Sequence, residues 1–304
     1  MKTDFASLYA LFEAIPDEQA AIDHFTAIRW KHGAFCPYCG SDRVYHFSDC
    51  KTHKCGDCRQ RFSIKVGTIF EDTKIGLRKW LAAIWLITSH KKGIASTQLA
   101  RDIAVTQKTA WFMLHRLRHA ARTRSFNRSL TGEVEVDEAY FGGKSKNRHQ
   151  GKKYRHGVGD KTPVVGLVQR KGGAIAKVVE RTDTKTLTLF VRQNVSNLAK
   201  LVSSDEHPGY RYLGRTFPHE VVRHSAGEYR KGRAHTNTIE GLWSLLKRQI
   251  YGIHHWVSAK HLDRYVAEAV WRYNRREVKD GPRVSEFLSR VDGRLRYADL
   301  IAKV

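Results

Sequence analysis

The sequence predicts an α/β protein assembled in parts: a small metal-stapled ribbon, an all-α region, and a larger domain of strands and helices. Three observations predict it. Two close cysteine pairs sit in a short polar stretch near the N-terminus, apolar residues recur at helical spacing between residues 76 and 123, and from Glu133 onward the pattern changes to β-branched, alternating runs interrupted by helices.

The bulk numbers bound the partners. At 304 residues with 41% hydrophobic side chains, the chain can bury a real core. Charge is the stronger signal: 54 Lys and Arg stand against 30 Asp and Glu, a formal net charge of +24. Such an excess repels itself unless a polyanion neutralises it, and nucleic acid, whose phosphates release counterions on contact, is the expected one. The cations are spread along the chain rather than gathered beside an apolar span, which argues against a membrane-surface protein. The longest apolar run, Trp80 to Ile87, is far short of the roughly 20 residues a spanning helix needs. The N-terminus carries Asp4, Glu13, Asp17 and Glu18 and no signal-peptide core. A cytoplasmic, nucleoid-associated protein with no membrane contact is therefore expected.

Residues 1–35 read as a helical leader, with Phe5, Leu8, Phe12 and Ile15 on one face and Pro16 ending the pattern. Residues 36–70 are too short and polar to bury much surface and need a staple. Cys36-Pro-Tyr-Cys39 and Cys55-Gly-Asp-Cys58 supply one. Each pair can present two thiolates from a tight knuckle, and two knuckles complete a tetrahedron around zinc. Gly40 and Gly56 are expected to give those turns their backbone freedom. Four unrelated buried thiols are the rival reading. With four protein ligands the zinc would be structural, and neither Cys50 nor His53 is needed. Lys51, Lys54, Arg59 and Arg61 surround the ribbon.

Residues 71–126 read as helical. Leu77, Leu81, Ile84 and Thr88 mark one face, and Lys92-Gly93 breaks the pattern. Gln98–Ile103, the step Ala104-Val105-Thr106, and Gln107–Arg118 then have the layout of a helix-turn-helix, with Thr106 as the cap of the second helix. Gln107, Lys108 and Thr109 would face base edges, and Arg116 and Arg118 further along the helix are also expected to contact DNA. An ordinary helical hairpin is the rival reading. Asn127 to Gly132 look like a linker, and Gly142–Asp160 like a basic, mobile loop.

Beyond the linker, Glu133–Phe141, Pro163–Arg170 and Ala174–Arg181 read as strands, with Gly172-Gly173 turning between the last two. Thr186–Val195 is a helix, Leu201–Ser204 a short buried strand, Val221–His224 a further strand candidate, and Thr238–Gln249 and Lys260–Arg275 are helices. Two strands carry acids that need an explanation. Glu133, Glu135 and Asp137 share the face opposite Val134 and Val136, and Asp205 ends the strand Leu201–Ser204. A third acid lies on the helix. At ~100° per residue, Asn237, Glu240, Ser244 and Lys247 share one face, while Ile239, Leu242, Leu246 and Ile250 share another. Three converging acids repel unless cations sit between them, and oxygen ligands suit Mg2+ or Mn2+. Lys247 could hold a phosphate close by. Taken singly, each acid reads as a surface residue or an ion-pair partner.

The cysteine ribbon, Gln98–Arg118, Val136-Asp-Glu-Ala-Tyr-Phe-Gly-Gly143, Ser204-Asp205, His235-Thr-Asn-Thr-Ile-Glu-Gly-Leu-Trp-Ser-Leu-Leu-Lys-Arg248 and Trp271-Arg-Tyr-Asn-Arg-Arg276 together resemble the bacterial insertion-sequence DDE transposases that carry an N-terminal zinc ribbon, a group related to the eukaryotic Merlin transposases. The resemblance covers nearly the whole chain. It implies an RNase H-like catalytic domain over 131–304, a mixed sheet flanked by helices, preceded by the zinc ribbon and the helix-turn-helix. It implies Asp137, Asp205 and Glu240 as ligands of catalytic Mg2+ or Mn2+, cutting at terminal inverted repeats, strand transfer, and action as a homodimer or higher homo-oligomer on DNA. Some relatives have Asn in place of the third acid, so Asn237 remains a second candidate for part of that role. His224, Trp243 and Ser244 read as support, packing or DNA contact. The rivals are a DNA-binding regulator with an inactive catalytic fold and a structure-selective RNase H-like nuclease.

Overall fold

In the computed structural model the described residues are 5–122, 129–143 and 161–302. The linker expected at Asn127–Gly132 falls partly, and the loop expected at Gly142–Asp160 almost wholly, outside them. The chain divides into two compact units, residues 1–121 with 277–304, and residues 122–276.

The first unit begins with α1 (Leu8–Ala14) and α2 (Glu18–Arg29), each capped by its own side chain, Ser7 and Asp17. The ribbon follows as a three-stranded antiparallel sheet of β1 (Val44–His46), β2 (Thr52–Cys55) and β3 (Arg61–Ser63). Next come α3 (Leu77–Ser89), α4 (Ser96–Asp102) and α5 (Gln107–Ala121). The sequence pattern marked one apolar face on α3, but Leu77 and every residue from Trp80 to Thr88 are buried. A helix apolar on all sides is a central one, and α3 packs against α2, α5 and α9 (Asp280–Leu288). Its first turn has no cap of its own. The Glu18 carboxylate on α2 takes the amides of Leu77 (2.7 Å) and Arg78 (3.1 Å), and a Cβ on Gly76 would lie 2.5 Å from that carboxylate. The other end is closed by Arg283 of α9, which donates to the Thr88 carbonyl at 2.7 Å. Thus α9 and α10 (Tyr297–Ile301) fold with the N-terminal unit, whereas the sequence expectation ran the catalytic domain on to residue 304.

Between α4 and α5 the chain turns at Ala104 (φ 50°), and Thr106 accepts from the Thr109 amide at 3.2 Å, the expected cap. Gln107 and Lys108 are exposed and Thr109 is partly so. Arg116 and Arg118 are not available to DNA as expected: they are 5% and 1% exposed. The inner face of α5 extends over Met113–Arg118, and the Arg116 guanidinium is used there to satisfy the carbonyls of Ile69 (2.8 Å) and Glu71 (2.9 Å).

The second unit is built on a five-stranded sheet. In chain order the strands are β4 (Glu133–Phe141), β5 (Thr162–Gln169), β6 (Ala174–Val178), β7 (Leu201–Ser204) and β8 (His219–Val221). Their spatial order is β6-β5-β4-β7-β8, antiparallel from β6 to β4 and parallel from β4 to β8. Counted within the domain this is 3-2-1-4-5, the mixed RNase H-like sheet. The β5–β6 turn is tight, but its left-handed residue is Lys171 (φ 56°), not either glycine. Strand alternation sorts the core onto two faces. Val134, Val136, Val165 and Leu167 pack with Leu187, Phe190 and Val191 of α6 (Thr184–Asn194). Ala139, Phe141, Val164 and Val168 pack with Ile239, Leu242, Trp243 and Leu246 of α7 (Asn237–Gln249) and Leu262, Val266 and Val270 of α8 (Ala259–Asn274). Each fully buried Leu or Val contributes roughly 1.5–3 kcal/mol relative to exposure, which holds α7 against the centre of the sheet. The last strand is His219–Val221, and the expected strand residue His224 begins a single 3-10 turn instead.

Candidate functional site

The four ribbon cysteines converge. One sulfur atom from each of Cys36, Cys39, Cys55 and Cys58 lies within 4.8 Å of the others. Cys36–Cys58 and Cys39–Cys55 are each 3.6 Å apart. A disulfide requires about 2.05 Å, whereas sulfurs about 2.3 Å from a tetrahedral zinc are spaced by nearly 3.8 Å. The knuckle amide of Tyr38 points at the Cys36 sulfur (3.4 Å), and those of Asp57 and Cys58 at the Cys55 sulfur (both 3.4 Å), which favours the Cys55 thiolate. Gly40 supplies the left-handed residue after the first pair (φ 78°), but Arg59 supplies it after the second (φ 63°). Gly56 is there for space: a Cβ would lie 3.1 Å from the Arg43 Cβ. The donor set fits zinc. His53 lies outside it, packed against Trp30, His46 and Phe62, and Cys50 is exposed.

The second cluster is acidic. The parallel register pairs Glu135 of β4 with Ser203 of β7, so two residues further Asp205 emerges beside Asp137. Carboxylate oxygens of Asp137, Asp205 and Glu138 lie within 4.8 Å of one another. Burial, then the charges of Asp205 and Glu138, push the Asp137 carboxyl up to about 7. Burial also pushes Glu138 up, against the pull of the Tyr210 hydroxyl, which donates to it at 2.6 Å. His207 Nε2 stands 3.5 Å from Glu138, and the His207 amide donates to Asp205 at 3.0 Å. Mutually repelling, desolvated carboxylates are a donor set that a divalent cation relieves.

α7 is docked over these acids. The Trp243 indole N–H donates to Asp137 Oδ2 at 2.9 Å. The ring occupies the space above Gly166, the residue opposite Asp137 on β5, where a Cβ would lie 2.5 Å from it. Ile239, Leu242, Leu246 and Ile250 form the buried stripe, and Asn237, Glu240 and Lys247 are exposed, as the helical spacing predicts.

A model of the ISXO2-like transposase domain matches residues 129–274, and one of the transposase zinc-ribbon domain matches residues 16–61. An uncharacterized protein in the transposable element ISH50 of Halobacterium salinarum is 30% identical over 264 residues, 82% of this chain and 88% of that protein. The chain belongs to the ISXO2-like transposase family. Solved assemblies of Mos1 transposase are also matched. Its strand transfer complex is 11% identical over 66% of this chain and 78% of that one, at a TM-score of 0.21. Its paired-end complex with left transposon end is 11% identical over 70% and 80%, at 0.21. Overall likeness that low carries no argument, and the fold of this transposase rests on its own strand order.

Of the transposase's three predicted acids, Asp137 and Asp205 lie together and Glu240 is outside their group. Glu240 Oε1 instead accepts from the Thr236 hydroxyl at 3.1 Å, which in turn meets His224 Nε2 at 3.2 Å. Sequence reasoning missed Glu138, because strict alternation turns it to the opposite face from Asp137. β4 outlasts its pairing with β7 beyond Glu135, which leaves room for the Glu138 side chain to reach Asp205. Its place in the Val136–Gly143 motif was the available signal.

Proposed function

We propose that this transposase binds the terminal inverted repeats of its insertion sequence and performs metal-dependent phosphodiester hydrolysis, then strand transfer of the freed 3′-OH ends into target DNA. The observation that carries the reading is the meeting of Asp137 on β4 with Asp205, just past the end of the adjacent parallel strand β7, under a helix whose Trp243 is bonded to Asp137. Asp137, Asp205 and Glu240 are the proposed ligands of Mg2+ or Mn2+, with Asn237 the alternative to Glu240. Divalent cations held there would supply activation of the attacking water or 3′-hydroxyl and would neutralise charge on the leaving oxygen.

The remaining work falls to the chain itself. Trp243 fixes the orientation of Asp137. Lys247, almost two turns beyond Glu240 on its exposed face, holds a neighbouring phosphate. In hydrolysis, water adds to phosphorus and the 3′-oxygen departs as the hydroxyl. In strand transfer, that hydroxyl adds to a target phosphorus and releases the target's own 3′-oxygen. The ribbon and the α4–α5 pair, as a helix-turn-helix led by Gln107, Lys108 and Thr109, bind the ends. Two ends must be joined, so a homodimer or higher homo-oligomer acts on double-stranded DNA. No described helix is long and apolar enough to cross a membrane; the proposed cytoplasmic, nucleoid-associated role follows from action on the element's DNA.

The test is cleavage of a plasmid carrying the DNA that flanks the gene. Asp137→Ala, Asp205→Ala and Glu240→Ala should each abolish cutting and joining while DNA binding survives. Asn237→Ala should cut, and Lys247→Ala should be slowed less completely. Wild-type protein that binds ends but never cuts with Mg2+ or Mn2+ would mark a regulator. Cutting that ignores the ends would mark a nuclease.

A further inference from the structure

The buried carboxylate of Glu135 has no part in the chemistry above, yet it accepts four hydrogen bonds. It is 0% exposed. Its Oε1 accepts from Arg170 Nε (2.7 Å) and the Thr238 hydroxyl (2.8 Å), and its Oε2 accepts from the amides of Thr238 (2.8 Å) and Ile239 (3.0 Å). Those two amides belong to the first turn of α7, whose own N-cap residue, Thr236, makes no capping bond. A strand residue therefore satisfies the helix end that local sequence leaves open. Arg170, which Glu135 shares with Glu133 (2.7 Å), also donates to the carbonyls of Arg233 (2.6 Å) and His235 (3.1 Å), so the lead-in to α7 is held by the same pair.

A charged side chain buried this way is an expensive route to helix capping. A Ser or Asp at position 236 would cap α7 without desolvating a carboxylate. What the strand carboxylate adds is placement. Glu135 lies two residues before Asp137 on β4, and the amides it holds lie one and two residues before Glu240 on α7. The Trp243–Asp137 bond, one turn further on, gives a second point of attachment. Two attachments fix both the height and the rotation of α7 over the sheet, and so where the Glu240 side chain starts.

We propose that Glu135 is a positioning residue for the reaction: it fastens the start of the helix carrying Glu240 to the strand carrying Asp137, and sets the distance between the two acids. This rests on the reading of Glu240 as the third ligand. Glu18 provides an internal comparison, because it caps α3 across a helix pair in the same manner and, among the described residues, belongs to no cluster of metal-ligating side chains.

The test is Mn2+ affinity of the full-length, zinc-loaded protein by titration calorimetry, with Mn2+ alone as the probe. Glu240→Ala should weaken binding by about ten-fold or more. Glu135→Gln should reproduce most of that loss, since an outer residue that orients a ligand typically costs on the order of 10–100-fold in affinity. The double variant should bind no more weakly than Glu240→Ala, because Glu135 acts through Glu240. Glu18→Gln should lower the melting temperature and leave Mn2+ affinity unchanged. If Glu135→Gln does not fold, Glu135→Asp carries the test: it keeps the charge but withdraws it from the α7 amides, and should weaken Mn2+ several-fold. Wild-type affinity in the Glu135 variants alongside a weak Glu240→Ala overturns this inference alone, as do losses that multiply in the double variant. A silent Glu240→Ala overturns both it and the reading it rests on.

Discussion

Replacing Asp137 by Asn removes a charge from the acid cluster while keeping an oxygen for the Trp243 indole. In the folded protein the Asp137 carboxyl is raised from 3.8 to about 7, by burial first and by the neighbouring acids second. A raised carboxyl contributes stability that is full below its unfolded value and lost as pH climbs through its folded one. Above pH 7 the divalent-metal-free wild type therefore carries a penalty on the order of 4 kcal/mol that Asn does not. At pH 5 about 2 kcal/mol of that difference remains, and near pH 4 it is almost gone. Thermal unfolding of full-length protein, zinc retained and Mg2+ removed, measures it. For a unit the size of residues 122–276, each kcal/mol moves the midpoint by roughly 2–4 °C, so Asp137→Asn should melt on the order of 10 °C higher at pH 8. Adding Mg2+ should stabilise the wild type and leave the variant unmoved. An Asp137→Asn protein no more stable than wild type at pH 8, or with the same advantage at pH 4, would refute the reasoning.

Other consequences are as specific. Cys36→Ser should leave the ribbon without its zinc by elemental analysis, and unchanged zinc content would remove the four-cysteine assignment. Gly166→Ala pushes a methyl to 2.5 Å from the Trp243 ring, so it should cost roughly 1–3 kcal/mol of stability and slow cleavage by breaking the bond to Asp137. Wild-type cleavage in that variant would show that the Trp243 contact is dispensable. Lys108→Ala should weaken binding to element ends by about 1–3 kcal/mol and relax specificity if it touches a base, with the fold unchanged. Arg116→Ala should instead lower the melting temperature, because it strands the carbonyls of Ile69 and Glu71; unaltered stability would contradict that placement.

Much of this was legible in the sequence because the constraints were local. Two-residue spacing between cysteines fixes a knuckle, and the 3.6-residue period of Ile239, Leu242, Leu246 and Ile250 fixes which side of α7 is buried. What escaped depended on long-range geometry. Nothing local says that Arg116 lies inside its helix bundle, since an Arg on an amphipathic helix reads as solvated until the carbonyls it satisfies are known. Residues 277–304 continue a helical pattern without signalling that α9 returns to α3. Glu135 looked like one of three acids on a strand face, and only the pairing of that face with the first turn of α7 separates it from Asp137. The cysteines and two of the three predicted catalytic acids were brought together as expected; the surroundings that hold them were not readable.

The most direct measurement is anomalous diffraction at the manganese edge from crystals soaked in Mn2+ at pH 8. The account predicts a manganese peak within coordinating distance, about 2.1–2.3 Å, of oxygens from both Asp137 and Asp205, with Glu240 or Asn237 of α7 drawn toward it. Manganese absent from this pair of strands while bound elsewhere on the protein would contradict it.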